Sequence, residues 1–262
     1  MSALRSVFVL TAFLAAAPVL AQETGPAGNP LVVSGSVHVT NNGFSPIPSF
    51  SLGEPAAIAY LSVKRNRFEF APHMSFSLAG RPWTFTYWLQ YKLVDRERYS
   101  LQAGTTLALK YGQTEILEDE APVTILDVQR VSVSQIVSSH RLSDRVSTSL
   151  SYRFGHGFDP GGVNALHFLT WATNVAPIPV GKKFQSTLNA QAFYINVDGL
   201  QGGYVSAVVG FGHNEFPVSL AYQFCQPVKT EVAPELGFVW NLSLVYRFRY
   251  SFQKEHPERT SG

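Results

Sequence analysis

Between Trp240 and Phe252 the chain reads "WNLSLVYRFRYSF". One register holds Trp240, Leu242, Leu244, Tyr246, Phe248, Tyr250 and Phe252; the other holds Asn241, Ser243, Val245, Arg247, Arg249 and Ser251. A strand sends successive side chains to opposite faces, so a period of two sorts them into one apolar and one mostly polar face. The pattern recurs in "RPWTFTYWLQYKLVD", where Trp83, Phe85, Tyr87, Leu89, Tyr91 and Leu93 oppose Thr84, Thr86, Trp88, Gln90 and Lys92. It recurs again over Tyr99–Tyr111 and Val146–Phe154. About 12 such segments follow Leu31, over 31–40, 56–65, 67–78, 82–94, 99–111, 123–139, 145–155, 163–176, 182–197, 202–213, 216–226 and 237–252. No helical period competes with them. The segment 163–176 is the least regular, because both of its registers mix apolar and polar residues.

A soluble sandwich or lipocalin-type barrel also alternates, with its apolar face inward. Three features favour the opposite arrangement. Charged residues make up only 15% of the 262-residue chain, against roughly 25% in an ordinary soluble domain, and the polar registers are built mainly of Ser, Thr, Gln, Asn and Gly. Several strands reach the ~9–11 residues needed to cross a bilayer at a tilt. The apolar registers carry Tyr, Trp and Phe near their ends, the position of an interfacial girdle. In lipid, closure satisfies the strand edges that would otherwise lack partners. The expected fold is an all-β, transmembrane, antiparallel up-and-down barrel of about 12 strands.

The first 21 residues, "MSALRSVFVLTAFLAAAPVLA", place Arg5 before an apolar run that ends on a small residue. This is the pattern of a cleaved secretory signal. The expected organisation is a signal at 1–21, a barrel at 22–252 and a periplasmic tail at 253–262. Connections alternate in character: "KRNR", "DRER", "HRLSDR", "PIPVGKK" and "NEFP" are short and mostly charged, while "NNGFSPIPSFSLGEP", "GQTEILEDEAP", "GHGFDPGG" and "QPVKTEVAPELG" are long. Short turns at one end and longer loops at the other, with an even strand count, put both termini on the short-turn side. Cys225 is the only cysteine, so an intramolecular disulfide is excluded. A net charge of +2 is too small to argue for a nucleic-acid partner.

With "RPWTFTYWLQYK", "FPVSLAYQF" and "WNLSLVYRF" in view, the chain resembles small outer-membrane β-barrel proteins of Gram-negative bacteria, in general look those of the Bacteroidetes group. The resemblance covers the mature chain as a pattern and carries no motif specific to one activity. It implies an outer-membrane location, contact with membrane lipids and lipopolysaccharide, and room for an outer-membrane protein partner. "WNLSLVYRFRYSF" also looks like the closing strand that barrel-assembly machinery recognises, although "QKEHPERTSG" follows it and leaves either Phe248 or Phe252 as the strand end.

If the aromatic registers face lipid, the lumen receives Glu69, Lys92, Lys110, Arg130, Arg153, Arg247 and Arg249, six bases and one acid. A lumen lined by one sign of charge favours ions of the other. The expected function is a small passive pore for anionic solutes such as acidic sugars, phosphates or carboxylates. The alternative is a closed barrel serving as an accessory protein, because barrels of about 8 strands are filled and those of 16–18 are open. In that case the bases would pair with acids, Glu69 with Lys92 for example.

An enzymatic reading rests on "FEFAPHMSFSL". Outer-membrane lipid hydrolases carry a similar His-x-Ser pair on one strand, here His73 and Ser75, and Ser with His is the minimum for an activated nucleophile. Parity turns this pair inward, away from lipid, with Phe68, Phe70, Met74 and Phe76 on the opposite side, and Phe76-Ser77 stands where the phospholipase pattern has Asn-Gly. Catalysis is therefore not expected. His156 and His167 have no carboxylate at metal-ligand spacing, so neither metal nor cofactor is expected. The acidic run Glu115, Glu118, Asp119 and Glu120 reads as a solvated loop, and Lys64, Arg65 and Arg67 as a solvated turn.

Overall fold

The computed structural model describes residues 30–45, 50–118 and 121–253. The expected signal at 1–21 and nearly all of the expected tail at 253–262 lie outside the described residues. Twelve antiparallel strands form one closed sheet. They are β1 (Leu31–Thr40), β2 (Ala56–Arg65), β3 (Phe68–Ser77), β4 (Pro82–Asp95), β5 (Tyr99–Glu118), β6 (Ala121–Arg141), β7 (Val146–Gly157), β8 (Ala165–Val180), β9 (Phe184–Val197), β10 (Leu200–His213), β11 (Val218–Thr230) and β12 (Val239–Phe252). Each strand pairs with its sequence neighbours. β1 closes on β12 through a ladder from Leu31 opposite Phe252 to Thr40 opposite Ser243. The ladder settles the strand end: it runs past Phe248 to Phe252. Closure leaves no strand edge unpaired within the wall, the condition for a sheet in lipid.

The outward face is apolar all round the wall. Leu150, Trp171, Leu169, Val209, Leu220, Leu242 and Leu244 are all 41% or more exposed. Their inward neighbours Ser151, Thr170, Ser243 and Asn241 are buried. Large apolar groups outside and small polar groups inside invert the soluble arrangement and match a bilayer solvent. Gly35 lies in the outward register of β1, and the Phe248 ring folds across it: a Cβ there would sit 2.7 Å from that ring.

The end carrying the termini, here the terminal end, has connections of two to four residues, 66–67, 96–98, 142–145, 181–183 and 214–217. The opposite, distal end carries the long 41–55 and 231–238 loops, but also tight turns. Asp198 (φ 51°) and Gly199 (φ 94°) link β9 to β10. Left-handed backbone at both central residues is what a two-residue type I′ turn needs. The Asp198 carboxylate also accepts bonds from the backbone N–H groups of Asn164 (3.0 Å) and Ala165 (2.7 Å), pinning the β7–β8 loop to this turn.

The longest departure from the sequence expectation is the β5–β6 hairpin. Much of "TEILEDEAP", expected as a loop, continues the two strands. β4 pairs with β5 only as far as Lys110, and β7 with β6 only as far as Val131. Beyond those residues the hairpin stands above the wall as a two-stranded ribbon. Its base is tied down by Arg81, whose guanidinium donates to Gln113 Oε1 (2.7 Å) and pairs with Glu54 of the 41–55 loop.

Candidate functional site in the barrel lumen

The ladders fix which side chains enter the lumen. Arg153 lies opposite Gln135 and Phe168, Lys110 opposite Thr84 and Gln129, and Arg247 and Arg249 opposite Ser36 and Ser34, all on inward registers. Glu69 faces inward opposite Lys64 and Gln90. Lys64, which the sequence places in a solvated turn, is therefore a lumen residue as well; a strict count of parity from Tyr60 to Lys64 would have found it.

Arg130 does not enter the lumen. It lies opposite Leu109 on the outward register, with its side chain 56% exposed. Its guanidinium grips Asp159 of the β7–β8 loop, with Nε 3.0 Å and Nη2 2.5 Å from Oδ1. Its hydrogen bond holds the Asp159 carboxyl below the ordinary value of 3.8. A depressed carboxylate stabilises above the unfolded value, so this clasp is complete at neutral pH and is lost as pH falls through the lower folded value. The expected Glu69–Lys92 pair is also replaced. Glu69 accepts a bond from the Ser62 hydroxyl (2.6 Å), and Lys92 pairs with Asp95 (2.8 Å) at the terminal rim. A register irregularity between Lys92 and Val94 brings Asp95 within reach of Lys92.

Trp83, expected on the lipid side, is 5% exposed. A bulge opposite Ser75–Phe76 inserts it as an extra residue between Pro82 and Thr84, and its indole N–H donates to the Phe50 carbonyl (2.7 Å). It thereby anchors the 41–55 loop over the distal mouth. His73 and Ser75 do point inward as parity requires, with His73 stacked edge-on to Tyr60 (4.7 Å) and Tyr60 to His38 (5.0 Å). No hydrogen bond joins His73 to Ser75 among the described residues. His156 and His167 sit on the outward register, bonded to the Asn164 carbonyl (2.9 Å) and the Tyr152 hydroxyl (2.7 Å).

Two features shape the lumen. The first is an apolar plug in its distal half. Phe168, Phe193, Ile195, Tyr204 and Cys225 point inward and pack together, under Phe44 of the 41–55 loop and Val232 and Leu236 of the 231–238 loop. Phe193 and Tyr204 stack at 5.0 Å and 12°. Tyr204 also meets the Thr230 hydroxyl at 2.6 Å, and that oxygen accepts the Val232 N–H (3.2 Å). Gly202 makes room for the ring, since a Cβ there would lie 2.7 Å from it.

The second feature is a cavity of about 430 Å³ beside the plug, lined by Lys110, Arg153 and His73 together with Phe50, Trp88 and Phe168. Lys110 Nζ lies 5.3 Å from the Phe50 ring centre, and the Arg153 guanidinium 5.4 Å from that of Phe168. Among the described residues Arg153 makes one hydrogen bond, from Nε to Gln135 Oε1 (3.1 Å). Neither base has a carboxylate within ion-pair distance among the described residues. A further cavity of about 440 Å³ opens at the terminal end, with Lys64, Glu69 and Arg249 in its wall.

No known family model matches the chain, and no curated protein matches it. Among solved structures it is similar to one described as KdgM porin, at 9% identity and a TM-score of 0.53, over 83% of this chain and 99% of that one. A structure of NanC porin matches over 86% of this chain and 100% of that one, at 9% identity and a TM-score of 0.46. OmpT of Vibrio cholerae matches over 87% and 100%, at 9% identity and a TM-score of 0.44. The first likeness, with the closed ladder and the apolar exterior, gives the fold: a transmembrane-type, all-β, twelve-stranded antiparallel barrel.

Proposed function

We propose that the chain is a bacterial outer-membrane barrel that passes small anionic solutes, with Arg153 and Lys110 supplying the selecting charge. The observation that carries this reading is a lumen wall with Lys64, Lys92, Lys110, Arg153, Arg247 and Arg249 set against Glu69 and Asp95. Of these bases only Lys92 is in an ion pair among the described residues. Unpaired bases in a confined lumen raise the local concentration of anions. In this reading residues 1–21 act as the secretory signal, the terminal end faces the periplasm, and lipopolysaccharide and membrane lipids surround the wall. The barrel fold shared with a structure described as a porin supports the same assignment.

Planar-bilayer recording across a salt gradient is the test. The wild-type reversal potential should show anion preference. Arg153→Glu should move it toward cations, whereas Arg130→Glu, on the outward face, should leave it unchanged. At 4 Å and an effective dielectric of about 20, one elementary charge is worth about 4 kcal/mol. Salt screening lowers that figure, yet a tenfold change in permeability ratio requires only about 1.4 kcal/mol. Cation preference in the wild type ends the proposal.

The apolar plug favours a second reading, a closed barrel serving as an accessory protein of an outer-membrane complex. Absence of single-channel events from protein that has folded by heat-modifiable gel migration selects that reading.

A further inference from the structure

We infer that the distal lumen cavity binds a small amphipathic carboxylate, an acid with an aromatic or branched apolar body. This rests on the pore reading for its physiological use, but the binding itself is separable from conduction. The cavity, at about 430 Å³, has the size of a small-molecule site. It has room for one compact solute.

Its walls divide by chemistry. On the β4–β5 side stand the hydroxyls of Thr84, Thr86 and Thr106. On the β6–β8 side stand Val131, Val133, Leu166 and Phe168. Arg153 lies between the apolar groups, with Nε spent on Gln135 and its two terminal amino groups making no bond among the described residues. Those amino groups are the fork that takes both oxygens of a carboxylate. Lys110, over the Phe50 ring, adds a second positive charge at the loop side. The Thr86 hydroxyl is buried and has no partner in the protein among the described residues, a polar group that a bound ligand would satisfy.

A sugar acid fits less well. Among the described residues no Asn, Gln, Asp or Glu lines this cavity, so the polar groups that could meet a ring of hydroxyls are chiefly the Thr84, Thr86 and Thr106 hydroxyls on one wall, and the opposite wall is apolar. An apolar body against Phe168 and Leu166 gains by burial instead, and its carboxylate gains by the charge-assisted bond.

Isothermal titration of the purified protein in detergent, with phenylacetate, phenylacetamide, acetate and glucuronate as probes, tests this. Phenylacetate should bind about tenfold or more tighter than each of the other three, the factor expected for one charge-assisted bond or one buried ring. Arg153→Gln should abolish the preference for phenylacetate over phenylacetamide. Should that variant fail to fold, the ranking of the four probes on the wild type decides alone. Glucuronate or acetate binding as tightly as phenylacetate overturns the inference. Bilayer recording of the same preparation separates the two proposals. Anion-selective channels with no phenylacetate preference leave the pore standing and the site refuted. Phenylacetate preference without channels leaves the site standing and the pore refuted.

Discussion

Tyr204→Ala should both destabilise the barrel and widen its distal lumen. Tyr204 is 2% exposed and Phe193 5%, and their stacked rings fill the inward space of β9 and β10 beneath two loops. Removing a buried aromatic ring costs about 3–5 kcal/mol, and the lost aromatic pairing adds a smaller term of about 0.5–1.5 kcal/mol. The Tyr204 hydroxyl also meets the Thr230 hydroxyl, which in turn accepts the backbone N–H groups of Val232 and Ala233 at 3.2 and 3.3 Å. Val232 and Leu236 of the 231–238 loop pack on the same cluster and lose that contact together with the ring. Tyr204→Phe keeps the ring and removes only the hydroxyl, at about 0.5–1.5 kcal/mol. Denaturant titration in detergent should rank wild type, Tyr204→Phe and Tyr204→Ala in that order. Single-channel conductance should rise in Tyr204→Ala and stay near wild type in Tyr204→Phe. Equal conductance in all three would mean that the plug does not limit passage.

The plug also explains where sequence parity succeeds and where it fails. β1 and β2 run over the residues expected, and β12 ends at Phe252; alternation is clearest on β12, where Trp240, Leu242, Leu244 and Tyr246 face outward and Asn241, Ser243, Arg247 and Arg249 inward. The rule behind that reading is that apolar means lipid-facing. Inward Leu166 and Phe168 break the rule on β8, which is why its registers look mixed: Leu169 and Trp171 face lipid while Phe168 fills the plug. Val131 and Val133 break it on β6. They are 3% and 8% exposed, line the cavity and lie on the inward register, so taking them as lipid-facing turns Arg130 inward by mistake. The ladder partner Gln135 opposite Arg153 carries the correct parity for the strand, but pairing is a long-range fact that one strand cannot display.

The remaining errors have local causes. Trp83 is itself the extra residue of a bulge, which takes it off the face that alternation assigns while Thr84 onward keeps the expected faces. The β5–β6 ribbon departs from the expected loop because Glu115 and Glu118 lie on β5; charge is compatible with strand where the hairpin rises clear of the wall. The inward placement of Glu69, Lys92, Lys110, Arg153, Arg247 and Arg249 was legible from parity alone. The cavity was not, since it depends on Phe50 of a distant loop and on Trp88, Arg153 and Phe168 from three strands.

Leu244→Arg distinguishes a lipid-facing exterior from a soluble one more sharply than any spectroscopic measure of β content. Leu244 is 52% exposed, lies opposite Val39 and Leu220 on the outward register, and stands near the middle of β12. In water, an arginine at so open a position would cost less than about 0.5 kcal/mol. At a bilayer midplane it costs about 2–4 kcal/mol, because the guanidinium must leave water or drag water with it. Leu244→Phe keeps the apolar contact and should change little. Equilibrium folding into phospholipid vesicles, followed by tryptophan fluorescence against urea, should therefore lose about 2–4 kcal/mol in the arginine variant alone. Moving the same substitution to Tyr250 should cost only about 0–1 kcal/mol, since that residue lies near the terminal rim, where charge meets the interface. A depth gradient of this kind arises only when the outer wall faces a bilayer; equal, small effects at both positions would place it in water.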